Sequence, residues 1–169
     1  MPMDFEAYER RVKDGPCFVC AILAGHPDYD QELFFDDGDH VAFLSRYPTL
    51  DGYSLVCPRR HVEDVARDLS EREYLALQTA VYRVAKAVAD VTGAERMYLL
   101  SLGSMQGNAH VHWHVAPLPP GVPYGRQQFH ALMAENGVLR LEPDQRRELG
   151  QRIRARLERI AAEEGDQSV

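Results

Sequence analysis

Short apolar runs bounded by turn residues recur along the first two thirds of the chain. Runs of this kind predict β-strands, and they cover residues 32–35, 40–44, 53–57, 96–102 and 110–116. Asp37-Gly38 lies between the first two runs, and an Asp-Gly pair in that position is a strong hairpin signal. The first three runs therefore predict an antiparallel meander.

A helical period replaces this pattern after Ser70. Apolar residues then recur three and four positions apart, at Leu77, Val81, Val84, Val88 and Val91. Ser70 and Glu73 form a capping-box pair at the start, and Gly93 stands where a C-terminal cap belongs. The spacing predicts one long helix over residues 70–92.

Shorter helical segments are predicted towards both ends. The stretches 5–13, 17–25 and 127–135 each predict a short helix. A last helix is expected from Pro143, with an apolar stripe at Leu149, Ile153, Leu157 and Ile160. The proline-rich segment 117–123 predicts a stiff connector, because proline cannot pair inside a sheet. Its alternative role is a wall over the neighbouring site.

Composition and charge narrow the class of protein. The 169 residues are 45% hydrophobic and 27% charged, which is typical of one soluble globular domain. No run of about eighteen apolar residues could span a bilayer, so no membrane partner is expected. The acidic start of the chain lacks the apolar region of a secretion signal, and we expect a cytoplasmic protein. The net charge of −7 argues against a duplex nucleic-acid partner and leaves small anionic substrates possible.

Three histidines in one predicted strand are the main candidates for an active site. Because side chains alternate across a strand, His110, His112 and His114 would lie on one face and their apolar neighbours on the other. Neutral imidazole can attack phosphorus, transfer a proton or bind a metal near neutral pH. A sheet edge with incidental histidines is the competing interpretation. The apolar opposite face favours a packed strand that carries an active site.

Three segments of the chain resemble the histidine triad (HIT) family. Residues 110–115, with the sequence His-Val-His-Trp-His-Val, resemble its His-x-His-x-His motif. Residues 43–61 are similar to its strand-loop-strand segment, which typically ends in Pro-Lys/Arg-Lys/Arg-His. Residues 17–25 resemble the Cys-x-x-Cys element of many bacterial members. Together they cover about residues 17–117 in the right order, which is more specific than the triad alone.

The resemblance implies an α+β fold. We expect a HIT-like antiparallel sheet of about five strands, with the long helix packed on one face. A HIT domain would occupy residues 17–125, after an N-terminal helical segment at 1–16. Residues 126–169 would form a C-terminal helical extension packed on the same domain. Members of the family are commonly homodimers, so we expect a homodimer.

The resemblance also implies a nucleotide hydrolase or transferase acting at the α-phosphate. Dinucleoside polyphosphates and nucleoside phosphoramidates are the expected kinds of substrate. His112 would be the nucleophile that forms a nucleotidyl-histidine intermediate, and His114 would donate to a phosphate oxygen or the leaving group. Ser45 stands where many members hold the ribose with Asp or Asn. Uncharged donors near the triad would be Ser104, Gln106 and Asn108.

Two of the three cysteines suggest a metal site. Cys17 and Cys20 are half of a tetrahedral zinc site, and the resemblance supplies His61 and His110 as the other half. We expect a structural zinc that orients the triad strand through His110. The alternative is that the two cysteines are buried thiols one helical turn apart. Cys57 ends an apolar run and is expected to be a small buried residue.

Two other functions stay open on sequence grounds. One is a metallohydrolase in which all three triad histidines hold a catalytic metal. The other is a nucleotide-binding protein of the same fold without useful catalysis. Retention of all three histidines favours catalysis, because a binding module could do without the nucleophile.

Overall fold

The computed structural model describes residues 1–166, and residues 167–169 of the predicted extension lie outside the described residues. The strands are β1 (Leu33–Asp36), β2 (His40–Leu44), β3 (Ser54–Pro58), β4 (Arg96–Ser101) and β5 (Trp113–Leu118). The helices are α1 (Phe5–Asp14), α2 (Phe18–Leu23), α3 (Glu71–Thr92), α4 (Phe129–Leu132) and α5 (Pro143–Asp166). The predicted α+β fold is confirmed.

The strands form one antiparallel sheet in the order β1-β2-β3-β5-β4. Strands β1, β2 and β3 pair in sequence, which confirms the predicted meander. Strand β5 lies between β3 and β4, with His114 opposite Leu55 on one side and Leu100 on the other. The strand that carries the last triad histidine is therefore internal, and the sheet-edge interpretation is wrong.

Alternate side chains of the sheet enter two separate cores. Ala42 and Leu44 of β2 pack with apolar residues of α3 and α5. Val41 and Phe43 of the same strand pack with Val19 of α2 on the opposite face. This division follows from the two-residue period of a strand. The α2 face is the one on which the candidate site lies.

The predicted long helix is confirmed as α3. The Ser70 hydroxyl accepts the Glu73 N–H at 3.3 Å, and the Glu73 carboxylate accepts the Ser70 N–H at 2.8 Å. Gly93 ends the helix with φ 67°, in the left-handed region that favours glycine. The apolar side of α3 covers the sheet with Leu77, Ala80, Val81, Val84, Ala85, Ala87 and Val88, all buried.

Helix α5 packs across α3 and the β1 end of the sheet. Its predicted apolar stripe is buried in the same core, at Leu149, Ile153, Leu157 and Ile160. Arg146 reaches back to β2 from the first turn of the helix, and its Nη1 donates to the backbone oxygen of Ser45 at 3.1 Å. Among residues 1–166, no helix has the length and apolar character needed to cross a membrane.

Strand β5 differs from its prediction at both ends, whereas the boundaries of the other strands differ by at most one residue. Strand β5 begins at Trp113, not at His110. The His110 Nε2 lies 2.8 Å from the Pro58 carbonyl oxygen, so a side chain occupies an acceptor that a longer ladder would use. Pro117 pairs with Met97 inside β5, against the predicted connector. The β3 ladder stops at Ser54 opposite Val115, and a proline without an N–H is tolerated beyond that point.

The predicted single helix over 127–135 is wrong. Helix α4 has only four residues and is flanked by 3-10 turns at Tyr124–Arg126 and Ala134–Asn136. Gln128 has φ 55°, and Met133 has an extended backbone with ψ 116°. These two backbone conformations interrupt the helical hydrogen bonds on both sides of α4.

Candidate active site and metal centre

The side chains of residues 110–115 alternate between the two faces of the sheet as predicted. Val111, Trp113 and Val115 pack in the α3 core. On the opposite side, the His112 ring lies edge-on to Phe18 of α2 with a centroid distance of 5.2 Å. The three imidazoles are not equivalent, because His110 contacts two cysteines. The rings of the other two lie 4.9 Å apart beside a cavity.

A main-chain hydrogen bond fixes which ring nitrogen of His112 carries the proton. Its Nδ1 lies 2.6 Å from the backbone oxygen of His110. A carbonyl oxygen only accepts, so Nδ1 carries the proton and Nε2 keeps its lone pair. Burial lowers the pKa of His112, which keeps the ring neutral near pH 7. A neutral imidazole with an unprotonated Nε2 in a cavity wall can act as a nucleophile.

His114 supplies a second neutral ring beside the first. Its Nδ1 is 3.1 Å from the hydroxyl of Tyr53, and burial lowers the pKa of the ring to about 4. Its Nε2 is buried and has no hydrogen-bond partner within the described part of the chain. An unpaired buried polar atom next to a nucleophile needs a partner that the described residues do not supply.

A cavity of about 340 Å³ opens beside these two rings. Its volume is at the lower end of the range of about 300–1,000 Å³ that is typical of small-molecule sites. Two of its lining residues, Tyr8 and Tyr47, meet edge to face at 5.5 Å. The aromatic lining residues are Phe5, Tyr8, Phe18, Tyr29, Phe43, Tyr47 and Tyr53. Such walls suit a flat apolar group whose polar end lies at the histidines.

The outer wall of this cavity comes from segments far apart in the chain. Met3, Phe5 and Tyr8 approach from α1 and the residues before it. Leu132, Ala134 and Glu135 approach from the end of α4 and the turn that follows. The histidines and the sheet form the inner wall, so the two walls belong to different stretches of sequence.

The four predicted substrate-binding residues fall into two groups. Ser45 and Asn108 line the cavity together with His112 and His114. Ser104 and Gln106 are exposed on the loop before the triad and do not line it. The Ser104 hydroxyl donates to Asn108 Oδ1, so it contacts a lining residue from outside. The Ser45 hydroxyl accepts the Tyr47 N–H at 3.3 Å.

The four predicted metal ligands converge at one point. Ligand atoms of Cys17, Cys20, His61 and His110 all lie within 4.8 Å of one another. The Cys17 Sγ is 3.4 Å from the Nδ1 of His110, and the Cys20 Sγ is 3.4 Å from the Nδ1 of His61. Two thiols and two imidazoles at these separations form a group that can hold a metal ion.

Outer hydrogen bonds orient both histidines of this group towards the sulfurs. The Nε2 of His110 donates to the Pro58 carbonyl, which leaves the Nδ1 lone pair facing the cysteines. The Nε2 of His61 lies 3.1 Å from the Glu63 carboxylate, with its Nδ1 likewise turned inward. Such carbonyl and carboxylate partners are typical of metal-binding histidines. Burial also lowers the pKa of His110 to about 4, so the ring is neutral.

Tyr53 and Phe18 are site residues that the sequence reasoning missed. Tyr53 shares a strand face with Leu55 and Cys57, and this alternation only indicated a buried aromatic residue. Phe18 lies between the two cysteines, which drew attention to the possible metal instead. Their contacts with the triad depend on pairings 61 residues apart for Tyr53 and His114. No local pattern in the sequence reports such a pairing.

Comparison with known proteins points to one family. The HIT domain family model matches residues 26–120. An uncharacterized HIT-like protein of Mycobacterium tuberculosis is 32% identical over 76% of this chain and 85% of its own length. A bis(5'-adenosyl)-triphosphatase of Dictyostelium discoideum is 32% identical over 51% of this chain and 59% of its own. An adenosine 5'-monophosphoramidase of Schizosaccharomyces pombe is 26% identical over 70% of this chain and 94% of its own.

Solved structures give the same result. A hypothetical histidine triad nucleotide-binding protein from Sulfolobus tokodaii superposes with a TM-score of 0.69 at 24% identity, over 85% of this chain and 93% of its own. A Zn-bound histidine triad family protein from Mycobacterium smegmatis gives 0.64 at 26% identity, over 86% of this chain and 96% of its own. Both share the sheet and helix arrangement described above.

Proposed function

The chain belongs to the HIT family, and on that premise we propose that it is a nucleotide hydrolase or transferase that cleaves at the α-phosphate through a nucleotidyl-His112 intermediate. The observation that carries the proposal is the 2.6 Å hydrogen bond from the Nδ1 of His112 to the backbone of His110. It leaves an unprotonated Nε2 at the cavity wall. The names of the Dictyostelium and Schizosaccharomyces relatives support phosphate chemistry on adenosine nucleotides.

The first step is an in-line displacement at phosphorus. The Nε2 lone pair of His112 forms a P–N bond while the bond from phosphorus to the leaving group breaks, and the leaving group keeps the electron pair. The ring then carries a positive charge, which the His110 carbonyl stabilises by accepting the Nδ1–H. Water then attacks phosphorus, the P–N bond breaks with its electron pair returning to the Nε2 of His112, and one proton of the water is released to solvent; another acceptor would react in the same way. Two displacements replace one difficult step.

The nucleoside would lie in the aromatic part of the cavity. A volume of about 340 Å³ suits one nucleoside with its α-phosphate at the histidines. Nucleobases stack well on aromatic side chains, which line this cavity. Thr49 also lines it, and its hydroxyl is buried without a hydrogen-bond partner in the described residues. We assign that hydroxyl to a polar atom of the bound nucleoside, because an unpaired buried hydroxyl costs about 1–3 kcal/mol.

Zinc is the metal that best fits the four-ligand group. Cys17, Cys20, His61 and His110 are a Cys₂His₂ set, and both imidazoles present a lone pair to the sulfurs. The Zn-bound protein from Mycobacterium smegmatis supports this choice. A zinc ion there would join α2 to the segment before β5 that carries the nucleophile. Its role would be structural, because the four protein ligands complete a tetrahedral shell.

The geometry favours the covalent route over a catalytic metal held by all three triad histidines. The His110 ring turns its free nitrogen towards the cysteines and away from the cavity. The Nδ1 of His112 is occupied by a backbone carbonyl, and that of His114 by Tyr53. The remaining lone pair of His112 is therefore available for attack at phosphorus.

A homodimer through the β4 edge is also part of the proposal. Strand β4 has a partner on one side only, and Leu99 on it is 44% exposed. Leu102, just beyond its end, is 60% exposed. Exposed strand edges with apolar residues favour pairing with a second chain. We expect light scattering to give a dimer mass that Leu99→Lys reduces to a monomer, whereas a monomeric wild-type chain would contradict this interface.

Trapping the intermediate tests the function. We expect diadenosine triphosphate or adenosine 5'-phosphoramidate, radiolabelled at the α-phosphate, to leave label on His112 in an acid-free rapid quench. His112→Ala should lose the label and lower turnover at least about 1,000-fold, as removal of a nucleophile does. His130→Ala, an exposed residue outside the cavity, is the matched control and should keep both. Turnover that persists without His112 contradicts the covalent route, and tight nucleotide binding without turnover identifies a binding protein.

A further inference from the structure

Tyr53 makes a hydrogen bond to His114 that takes no direct part in the displacement at phosphorus. Its hydroxyl lies 3.1 Å from the Nδ1 of His114, and the two rings meet nearly at right angles with centroids 5.8 Å apart. Tyr53 is 8% exposed and lines the same cavity. The tyrosine is therefore held against the back of the second catalytic ring.

The direction of this hydrogen bond follows from counting unpaired groups. If the phenol donates, the Nδ1 of His114 accepts and only its Nε2–H lacks a partner. If Nδ1 donates instead, both the Tyr53 O–H and the Nε2 lone pair of His114 lack one. Each unpaired buried group costs about 1–3 kcal/mol, so the first arrangement is favoured.

We propose that Tyr53 is a positioning residue of the active site: its hydroxyl holds His114 in the tautomer with the proton on Nε2. This inference rests on the proposed function. His114 then presents a neutral N–H donor beside the nucleophile, where charge develops on the transferred phosphate. The proton stays on His114 while the P–N bond to His112 forms and a polyphosphate leaving group departs as an anion with its electron pair, whereas the nitrogen of a phosphoramidate takes a proton from water and departs as ammonia. Donors placed in advance at developing charge lower the barrier to the reaction.

The Tyr53 hydroxyl is well suited to this role. Burial raises its pKa to about 12, so the phenol keeps its proton and can donate it to the Nδ1 of His114. Its aromatic ring packs in the α2 core with Phe43 and Leu55, which fixes the position of the oxygen. A phenylalanine at this position would keep the packing and remove only the hydrogen bond.

The test compares Tyr53→Phe with the wild-type chain by two measurements. Ring ¹⁵N NMR should show one tautomer of His114 in the wild type, protonated on Nε2, and loss of the hydrogen-bond shift at Nδ1 in the variant. Steady-state kinetics should show kcat lowered roughly 3- to 10-fold, the value of one hydrogen bond, with KM changed less than about twofold. Tyr82→Phe, an exposed tyrosine on α3, should change neither measurement.

Two results would overturn the inference. One is a wild-type His114 with its proton on Nδ1, and the other is an unchanged kcat in Tyr53→Phe. If the wild-type chain turns over no nucleotide, the proposed function fails instead. The ring nitrogen spectrum would still decide the direction of the Tyr53 hydrogen bond, so the two failures are distinguishable.

Discussion

At the scale of single residues, the hydrogen bond at the Nδ1 of each ring determines whether its Nε2 carries a lone pair or a proton. The His112 ring is held by a main-chain oxygen two residues earlier, and substitution of neighbouring side chains leaves that acceptor in place. The His114 ring depends on a side chain from another strand, so its state can be changed by one substitution. Both rings are kept neutral by burial. A neutral pair suits attack by one ring and hydrogen-bond donation by the other.

The buried ring of His114 makes folding stability depend on pH. Its pKa is about 4 when folded against 6.5 ordinarily, so the unfolded chain binds the extra proton between these values. The neutral ring therefore favours folding above pH 6.5, and this advantage is lost as pH falls from 6.5 towards 4. The full contribution is on the order of 3 kcal/mol. We expect His114→Gln to show a shallower loss of unfolding free energy over that range.

Urea unfolding of both chains at several pH values between 7 and 4 measures this difference. His110 and His112 are present in both chains, so the difference measures the His114 ring together with its electrostatic coupling to His112. The control is His130→Gln, whose ring is exposed and which should keep the wild-type slope. Parallel pH profiles for His114→Gln and the wild type would show that the His114 ring is solvated in the folded protein.

The sequence predicted the placement of the triad side chains better than the placement of their partners. The spacing of the triad placed His112 and His114 on one face, because strand geometry fixes that alternation locally. Ser104 and Gln106 were proposed as donors because they are near the triad in sequence, yet a loop can turn such residues outward, and both are exposed. Tyr53 was missed because strand register, which a single sequence does not reveal, brings it to His114.

At the scale of elements, the C-terminal end of α3 and the interior of α5 show how local backbone geometry contributes to stability. Gly93 ends α3 with a positive φ, and Gly150 lies inside the regular helix α5. A Cβ added at either position would meet no atom within 4 Å. The two sites therefore differ in backbone conformation and not in available space.

Alanine at these two glycines should change stability in opposite directions. We expect Gly93→Ala to lower the free energy of unfolding by about 1 kcal/mol, because alanine disfavours the left-handed conformation. Gly150→Ala should raise it by roughly 0.5–1 kcal/mol, because alanine restricts the unfolded chain and favours the helix. Chemical denaturation of the two variants beside the wild type measures both. A shift of the same sign in both would mean that side-chain crowding outweighs backbone conformation.

Elements with a strong period were predicted closely, and those that end through tertiary contacts were not. Helix α3 follows from its apolar spacing and its caps, which are local signals. The start of β5 depends on the bond between His110 and Pro58, which joins residues 52 positions apart. The predicted helix over 127–135 failed because Gln128 adopts a positive φ that its residue type does not signal.

At the scale of the whole molecule, the metal group joins three segments that are separated in sequence first by strands β1, β2 and β3 and then by α3 and β4. Cys17 and Cys20 bring α2, His61 brings the segment after β3, and His110 brings the approach to β5. A metal ion at this point would fix the Phe18 ring against His112 as well, because Phe18 lies between the two cysteines. Metal binding would thereby order the candidate active site.

Removal of one ligand should affect both zinc content and stability. We expect His61→Ala to reduce zinc well below one ion per chain and to lower Tm by at least about 5 °C, because binding energy of a structural metal is also folding energy. Elemental analysis and calorimetry of the same preparations make the measurement. His130→Ala should match the wild type in both. A wild-type chain purified without zinc, and with a Tm unaffected by chelator, would contradict the zinc proposal.

The cavity is lined partly by residues inside the range that matches the family and partly by residues outside it, and this has an evolutionary consequence. The inner wall, with the histidines, lies within the matched range 26–120, whereas Tyr8 and Glu135 of the outer wall lie outside it. Under the proposed function, mutations in the flanking segments would alter which nucleoside is preferred and would leave the histidines in place. A lineage that carries this arrangement can explore new specificities through its termini, and exchange of those segments between homologues offers a direct route to engineered selectivity.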